Sequence, residues 1–148
     1  MTHHERDSTA DSQKAFGRGH CLCNSVRYEA RAPLRSIIYC HCEMCRRTGG
    51  HFVAATACER QHLDIQISND ALRWFQSSTV ARRGFCQICG SNLFWDSDGS
   101  PNISIWAGTL DSPSGLVGRE HIYTANAGDY YVIADGLPQY AGDSPRTT

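Results

Sequence analysis

Apolar residues along this chain fall in short runs rather than at helical spacing. VRYEA (26–30) and SIIYC (36–40) are β-branched or aromatic, and HFVAATACE (51–59) follows them. HLDIQI (62–67) alternates apolar and polar positions cleanly, which is the period of a half-buried strand. ALRWFQ (71–76), VARRGFC (80–86), SNLFWD (91–96) and NISIWAG (102–108) complete the series. Turn-forming stretches separate them: SND at 68–70, SDGSPN at 97–102 and DSPSG at 111–115. Strands this short and evenly spaced predict a mainly β fold of antiparallel sheets with little helix. One short helix is predicted over 42–49, with Gly49 and Gly50 positioned to end it.

The two ends read differently. Residues 1–15 (MTHHERDSTADSQKA) are polar throughout, which predicts a disordered lead-in, and the tail GDSPRTT (142–148) is expected to fray. Between them, residues 16–141 form one predicted domain, with no internal repeat and no linker long enough to divide it. A total of 148 residues fits one domain with a core of ordinary size.

Composition narrows the partners. Charged residues make up 20% and hydrophobic residues 41%, with a formal net charge of −1. Phosphate binding usually rests on a clear basic surplus, so nucleic acid is not the expected partner. No apolar run approaches the ~20 residues of a membrane span, and residues 1–15 hold no apolar export segment. The expected location is the cytoplasm. In that reducing setting, eight cysteines point to metal ligands or catalysts rather than disulfides.

Seven of the eight cysteines sort into three local groups. GHCLCNS carries Cys21 and Cys23, CHCEMC carries Cys40, Cys42 and Cys45, and FCQICGS carries Cys86 and Cys89 followed by Gly90. The C-x-x-C-G turn is a zinc knuckle that needs two more ligands for a closed tetrahedral site. Cys21 and Cys23 are the natural pair, giving a structural site of Cys21, Cys23, Cys86 and Cys89. That leaves three thiols in one cluster. A catalytic zinc typically keeps three protein ligands and an open fourth position. Cys40, Cys42 and Cys45 fit that description, and a thiol substrate suits the open place. The alternative is a second closed site, with His41, His51, His62 or Cys58 as fourth ligand. His41, between two ligands, is expected to point away from the metal, and Cys58 to be a small buried residue. Arg46 and Arg47 directly follow the cluster, either as a clamp for a substrate carboxylate or as solvated surface.

The segments GHCLCNSVRYEA, YCHCEMCRRTGG, RRGFCQICGSNLFW, AGTLD and HIYTANAGDYYVIADGLPQY together resemble the glutathione-dependent formaldehyde-activating family, which includes centromere-protein-V-like proteins. The resemblance runs from about Phe16 to Tyr140. It implies a β-tent fold, structural zinc at Cys21, Cys23, Cys86 and Cys89, and active-site zinc at Cys40, Cys42 and Cys45. The implied reaction joins glutathione and formaldehyde into S-hydroxymethylglutathione, or cleaves that adduct as a carbon–sulfur lyase. The chain departs from the family at Asn24, where Gly is usual, and at Ala127, where Lys is frequent. Asn tolerates a positive φ better than most residues, so the turn at Asn24 is compatible with the exchange.

Two further readings compete with a zinc enzyme acting on a small thiol and an aldehyde. One is a zinc-stabilised module that binds protein or nucleic acid without catalysis, for which Arg82 and Arg83 offer a small basic patch. The other is thiol redox chemistry at Cys58, since sulfoxide reductases share the β-tent fold.

Overall fold

The computed structural model describes residues 16–145. The expected disorder of residues 1–15 lies outside them.

Ten strands form two sheets. The smaller holds β1 (Gly17–His20), β2 (Val26–Ala30) and β5 (Leu63–Ile67), in the order β1-β2-β5 and antiparallel throughout. The larger holds β3 (Ile37–Cys40), β4 (Val53–Glu59), β6 (Leu72–Gln76), β7 (Ala81–Cys86), β8 (Asn92–Ser97), β9 (Asn102–Trp106) and β10 (Gly118–Ile122). Its order is β10-β3-β4-β9-β8-β7-β6. Every pair is antiparallel except β10 with β3, which is parallel and corrects the expectation of purely antiparallel sheets. No turn joins those two strands, and the long path between them brings β10 back in the same direction as β3.

The strands expected from the apolar runs are present within one or two residues of their predicted bounds, and VRYEA matches in full. In β2 the alternation turns Val26, Tyr28 and Ala30 inward and leaves Arg27 exposed. Tyr28 then meets Phe94 of the large sheet edge-on, with ring centroids 5.5 Å apart. Leu93, Phe94, Ile103 and Ile105 from β8 and β9 complete the shared core, and Cys58 is buried in the same cluster, as expected.

The single α-helix among the described residues, α1 (Glu43–Gly49), is also close to its predicted span. Cys42 caps its start: the backbone N–H of Cys45 donates to the Cys42 sulfur at 3.3 Å. Gly50, in the left-handed region, ends it. The side chain of Asn92 donates to the Thr48 carbonyl at 3.1 Å and ties α1 to the start of β8. No helix among the described residues is long and apolar enough to cross a membrane.

Candidate metal centres

Both thiol clusters form at strand ends. Cys21 and Cys23 lie in the β1–β2 turn, Cys86 ends β7, and Cys89 sits in the turn to β8. Their four sulfurs all lie within 4.8 Å of one another. Cys21 Sγ to Cys23 Sγ is 3.6 Å, and Cys23 Sγ to Cys86 Sγ is 3.7 Å. Four thiolates about 2.3 Å from a tetrahedral zinc stand roughly 3.8 Å apart, so the donor set and its spacing fit that ion. The turns are built for it. Asn24 adopts φ 66, the conformation its exchange for Gly requires, and its N–H donates to the Cys21 carbonyl at 3.1 Å. Gly90 at φ 81 donates to the Cys86 carbonyl at 2.8 Å. The Val26 N–H donates to the Cys21 sulfur at 3.3 Å, and the Leu22 N–H to the Ser91 hydroxyl at 3.0 Å. This cluster therefore clasps the small sheet to the β7–β8 hairpin of the large one.

The second cluster gathers Cys40 at the end of β3, Cys42 at the helix cap and Cys45 in the first turn of α1, again with sulfurs within 4.8 Å. Hydrogen bonds from Cys40 and Cys45 hold the Cys42 thiol well below its ordinary range, while sharing with Cys42 and Cys45 pushes Cys40 up. Three thiols this close cannot all ionise without a cation among them. Among the described residues, no histidine, carboxylate or fourth cysteine joins this group as a potential ligand. The donor chemistry fits a thiophilic divalent ion with a free position.

His41 does turn away from the sulfurs. It is fully buried and enters a hydrogen-bonded chain. His41 Nε2 lies 2.8 Å from His121 Nδ1 of β10, and His121 Nε2 lies 2.7 Å from Asp135 Oδ2. His41 Nδ1 meets the Tyr131 hydroxyl. Burial, then the neighbouring His121 and His51, lowers the His41 pKa to about 4, so this ring is neutral near pH 7. The hydrogen bond with His121 holds Asp135 below the usual carboxylate range, so it is ionised and can only accept. With His121 Nδ1 as acceptor the chain has one direction: Tyr131 O–H donates to His41, His41 to His121, and His121 Nε2 to Asp135. Beside it, His51 Nδ1 pairs with the Tyr130 hydroxyl at 2.7 Å, and Phe52 packs against both His41 and His51.

The two arginines after the cluster diverge. Arg47 is exposed and pairs with Glu43 at 2.8 Å along the helix. Arg46 is half-buried, and its Nε has no hydrogen-bond partner. Arg82 and Arg83 do not form the small basic patch that the sequence suggested. Arg82 stacks over Trp74 at 4.0 Å and pairs with Asp96 at 3.0 Å, whereas Arg83 is buried against Cys45. Tyr131, His121, Asp135 and Arg83 escaped the reading of the sequence as site residues. The strand alternation in VARRGF carries the one available signal, since it puts Arg82 and Arg83 on opposite faces.

The structure is thus a mainly β domain that brings together two clusters of converging thiols suited to binding metal. The chain belongs to the glutathione-dependent formaldehyde-activating enzyme family, whose pattern matches residues 17–126. ADGLPQY lies beyond that match. A Schizosaccharomyces pombe protein described as an uncharacterized lyase is 28% identical over 92 residues, covering 60% of this chain and 65% of the relative. A Rhodobacter sphaeroides protein of known crystal structure shares the fold, with a TM-score of 0.55 at 24% identity over 68% of this chain and 97% of that one.

Proposed function

We propose that this protein makes and breaks the carbon–sulfur bond between a small thiol, of which glutathione is the family's example, and an aldehyde such as formaldehyde. The observation that carries the proposal is the three-thiol cluster of Cys40, Cys42 and Cys45 with no fourth protein ligand beside it. Family membership and a relative described as a lyase support the same reading.

In this reading Cys40, Cys42 and Cys45 hold the active-site zinc, and Cys21, Cys23, Cys86 and Cys89 hold a structural one. Zinc in the three-thiol centre would supply a place where the substrate thiol is kept as thiolate at neutral pH. In the forward direction the sulfur lone pair forms the bond to the carbonyl carbon, the π pair moves to oxygen, and that oxygen takes up one proton in place of the one the thiol gave up. The reverse direction returns both. The chain's own residues orient and enclose these atoms. Both ring nitrogens of His41 are occupied, by Tyr131 and His121, so His41 positions Tyr131 rather than moving a proton itself. His51 and Tyr130 form the adjoining polar pair. Arg46, with its unpartnered Nε, is the better placed of the two arginines to hold a substrate carboxylate, since Arg47 is engaged by Glu43.

Zinc counted per chain in reducing buffer, on wild type and Cys42→Ser, tests the assignment. Two ions in wild type and one in a folded variant, with loss of thiol–aldehyde adduct turnover, is the expected result. One ion in both overturns the three-thiol centre as the seat of the chemistry. Unchanged thiol affinity in Arg46→Ala removes the clamp.

A further inference from the structure

Arg83 is a buried cation without a carboxylate. Its exposure is 5%, and it takes part in no ion pair with a carboxylate among the described residues. Its Nη1 and Nη2 both lie 3.8 Å from the Cys45 sulfur, and its Nε is buried with no partner. A guanidinium taken out of water needs an anion to compensate it, and the group its two terminal nitrogens face is the Cys45 sulfur of the three-thiol centre. The neighbouring Arg82 shows the contrast: on the other face of β7, it is satisfied by Asp96 and Trp74.

We propose that Arg83 is the counter-ion of the three-thiol centre, a positioning residue that grips the metal-bound Cys45 thiolate with both terminal nitrogens and sets how tightly the metal is held. The inference rests on the reading above that Cys40, Cys42 and Cys45 bind zinc. Three thiolates and one divalent cation leave a net charge of −1, and the one guanidinium brings the buried group to zero. That balance keeps a site of three anions compatible with a water-poor setting. It also lowers the electrostatic barrier to a fourth, anionic thiolate. A planar fork engages one sulfur through two N–H groups, which the single ammonium of Lys cannot reproduce. Burial separates Arg83 from a substrate clamp of the Arg46 type. Among the described residues no arginine bonds to the four-cysteine centre, whose sulfurs meet the Val26 N–H and the Ser91 hydroxyl instead.

The test is a zinc competition against a chromophoric chelator on the holoprotein of wild type, Arg83→Gln and Arg83→Lys, with circular dichroism to report folding. The ion in the four-cysteine centre serves as the internal reference. The expected result is a second-site affinity about 10–100-fold lower in Arg83→Gln, a smaller loss in Arg83→Lys, and an unchanged first ion. Equal second-site affinity in all three proteins overturns the inference while leaving the proposed function standing. So does parallel loss of both ions, which would make Arg83 a general stabiliser. If Arg83→Gln does not fold, Arg83→Lys alone decides: wild-type retention of the second ion rejects the role of the fork. A wild type that holds one ion removes both the inference and the reading beneath it.

Discussion

His41 Nε2 and His121 Nδ1 lie 2.8 Å apart, joining residues 80 positions distant in the chain. The contact works only if one imidazole donates and the other accepts, and Asp135 on the far side of His121 sets which. The parallel pairing of β10 with β3 places His121 opposite Tyr39, next to the strand end that carries Cys40.

Breaking this chain should destabilise the fold as well as the site. His121→Ala strips a buried nitrogen of its partner, a penalty of about 1–3 kcal/mol before any cavity is counted. Urea unfolding of the zinc-loaded variant should show the loss. Asp135→Asn keeps an acceptor and loses the charge, so its effect should be smaller. Equal stability of His121→Ala and wild type would show that the chain carries no structural weight.

The two thiol clusters should differ in what the loss of one sulfur does. Cys86→Ser opens the cluster that clasps the two sheets, and a structural zinc contributes on the order of 10 kcal/mol to folding. Cooperative melting should disappear. Cys42→Ser touches a centre whose three cysteines stand close in the chain, and melting should remain cooperative. Calorimetry of both variants with zinc present distinguishes them.

Two glycines give opposite tests of space and backbone. A Cβ at Gly19 would lie 2.2 Å from the Tyr28 hydroxyl oxygen and 2.3 Å from the Thr109 carbonyl, so Gly19→Ala should cost about 3 kcal/mol through forced repacking. Gly90 has nothing within 4 Å, but its φ is +81. Gly90→Ala should therefore cost only about 1–2 kcal/mol, through the left-handed backbone of the C-x-x-C turn. Denaturant midpoints should rank wild type, Gly90→Ala and Gly19→Ala in falling order.

Cys58 should be the inert thiol. Burial, reinforced by Glu59, raises its pKa to about 11. At pH 8 its thiolate fraction is about 100-fold below that of a free cysteine, so iodoacetamide labelling of native protein should leave Cys58 unmodified. The sign for stability follows. The folded state holds this proton more tightly, so the Cys58 contribution is complete below pH 9 and is lost as pH rises toward 11. Rapid native-state labelling of Cys58 at pH 8 would contradict this and return it to the list of reactive thiols.

The strands carrying apolar runs were legible because alternation such as HLDIQI reports a buried face directly. β1 and β10 were not, because GRGH and GREHI have almost no apolar residues and owe their strand form to backbone pairing with β2 and β3. The thiol clusters were legible because metal ligands in a turn stand close in sequence. Arg83 looked like surface beside Arg82, since adjacent identical residues hide which one faces inward. Tyr131 and Asp135 gave no sign, because they lie outside the strands and meet their partners, His41 just past β3 and His121 on β10, only in the fold.

The three thiols of the second centre stand within six residues, whereas Tyr131 follows His41 by 90 positions. A ribosome therefore releases Cys40, Cys42 and Cys45 long before Arg83 and the histidine chain emerge to shelter them. During that interval the trio is solvent-exposed and open both to metal capture and to oxidation. Synthesis is thus the stage at which this centre lacks the shelter of the finished fold.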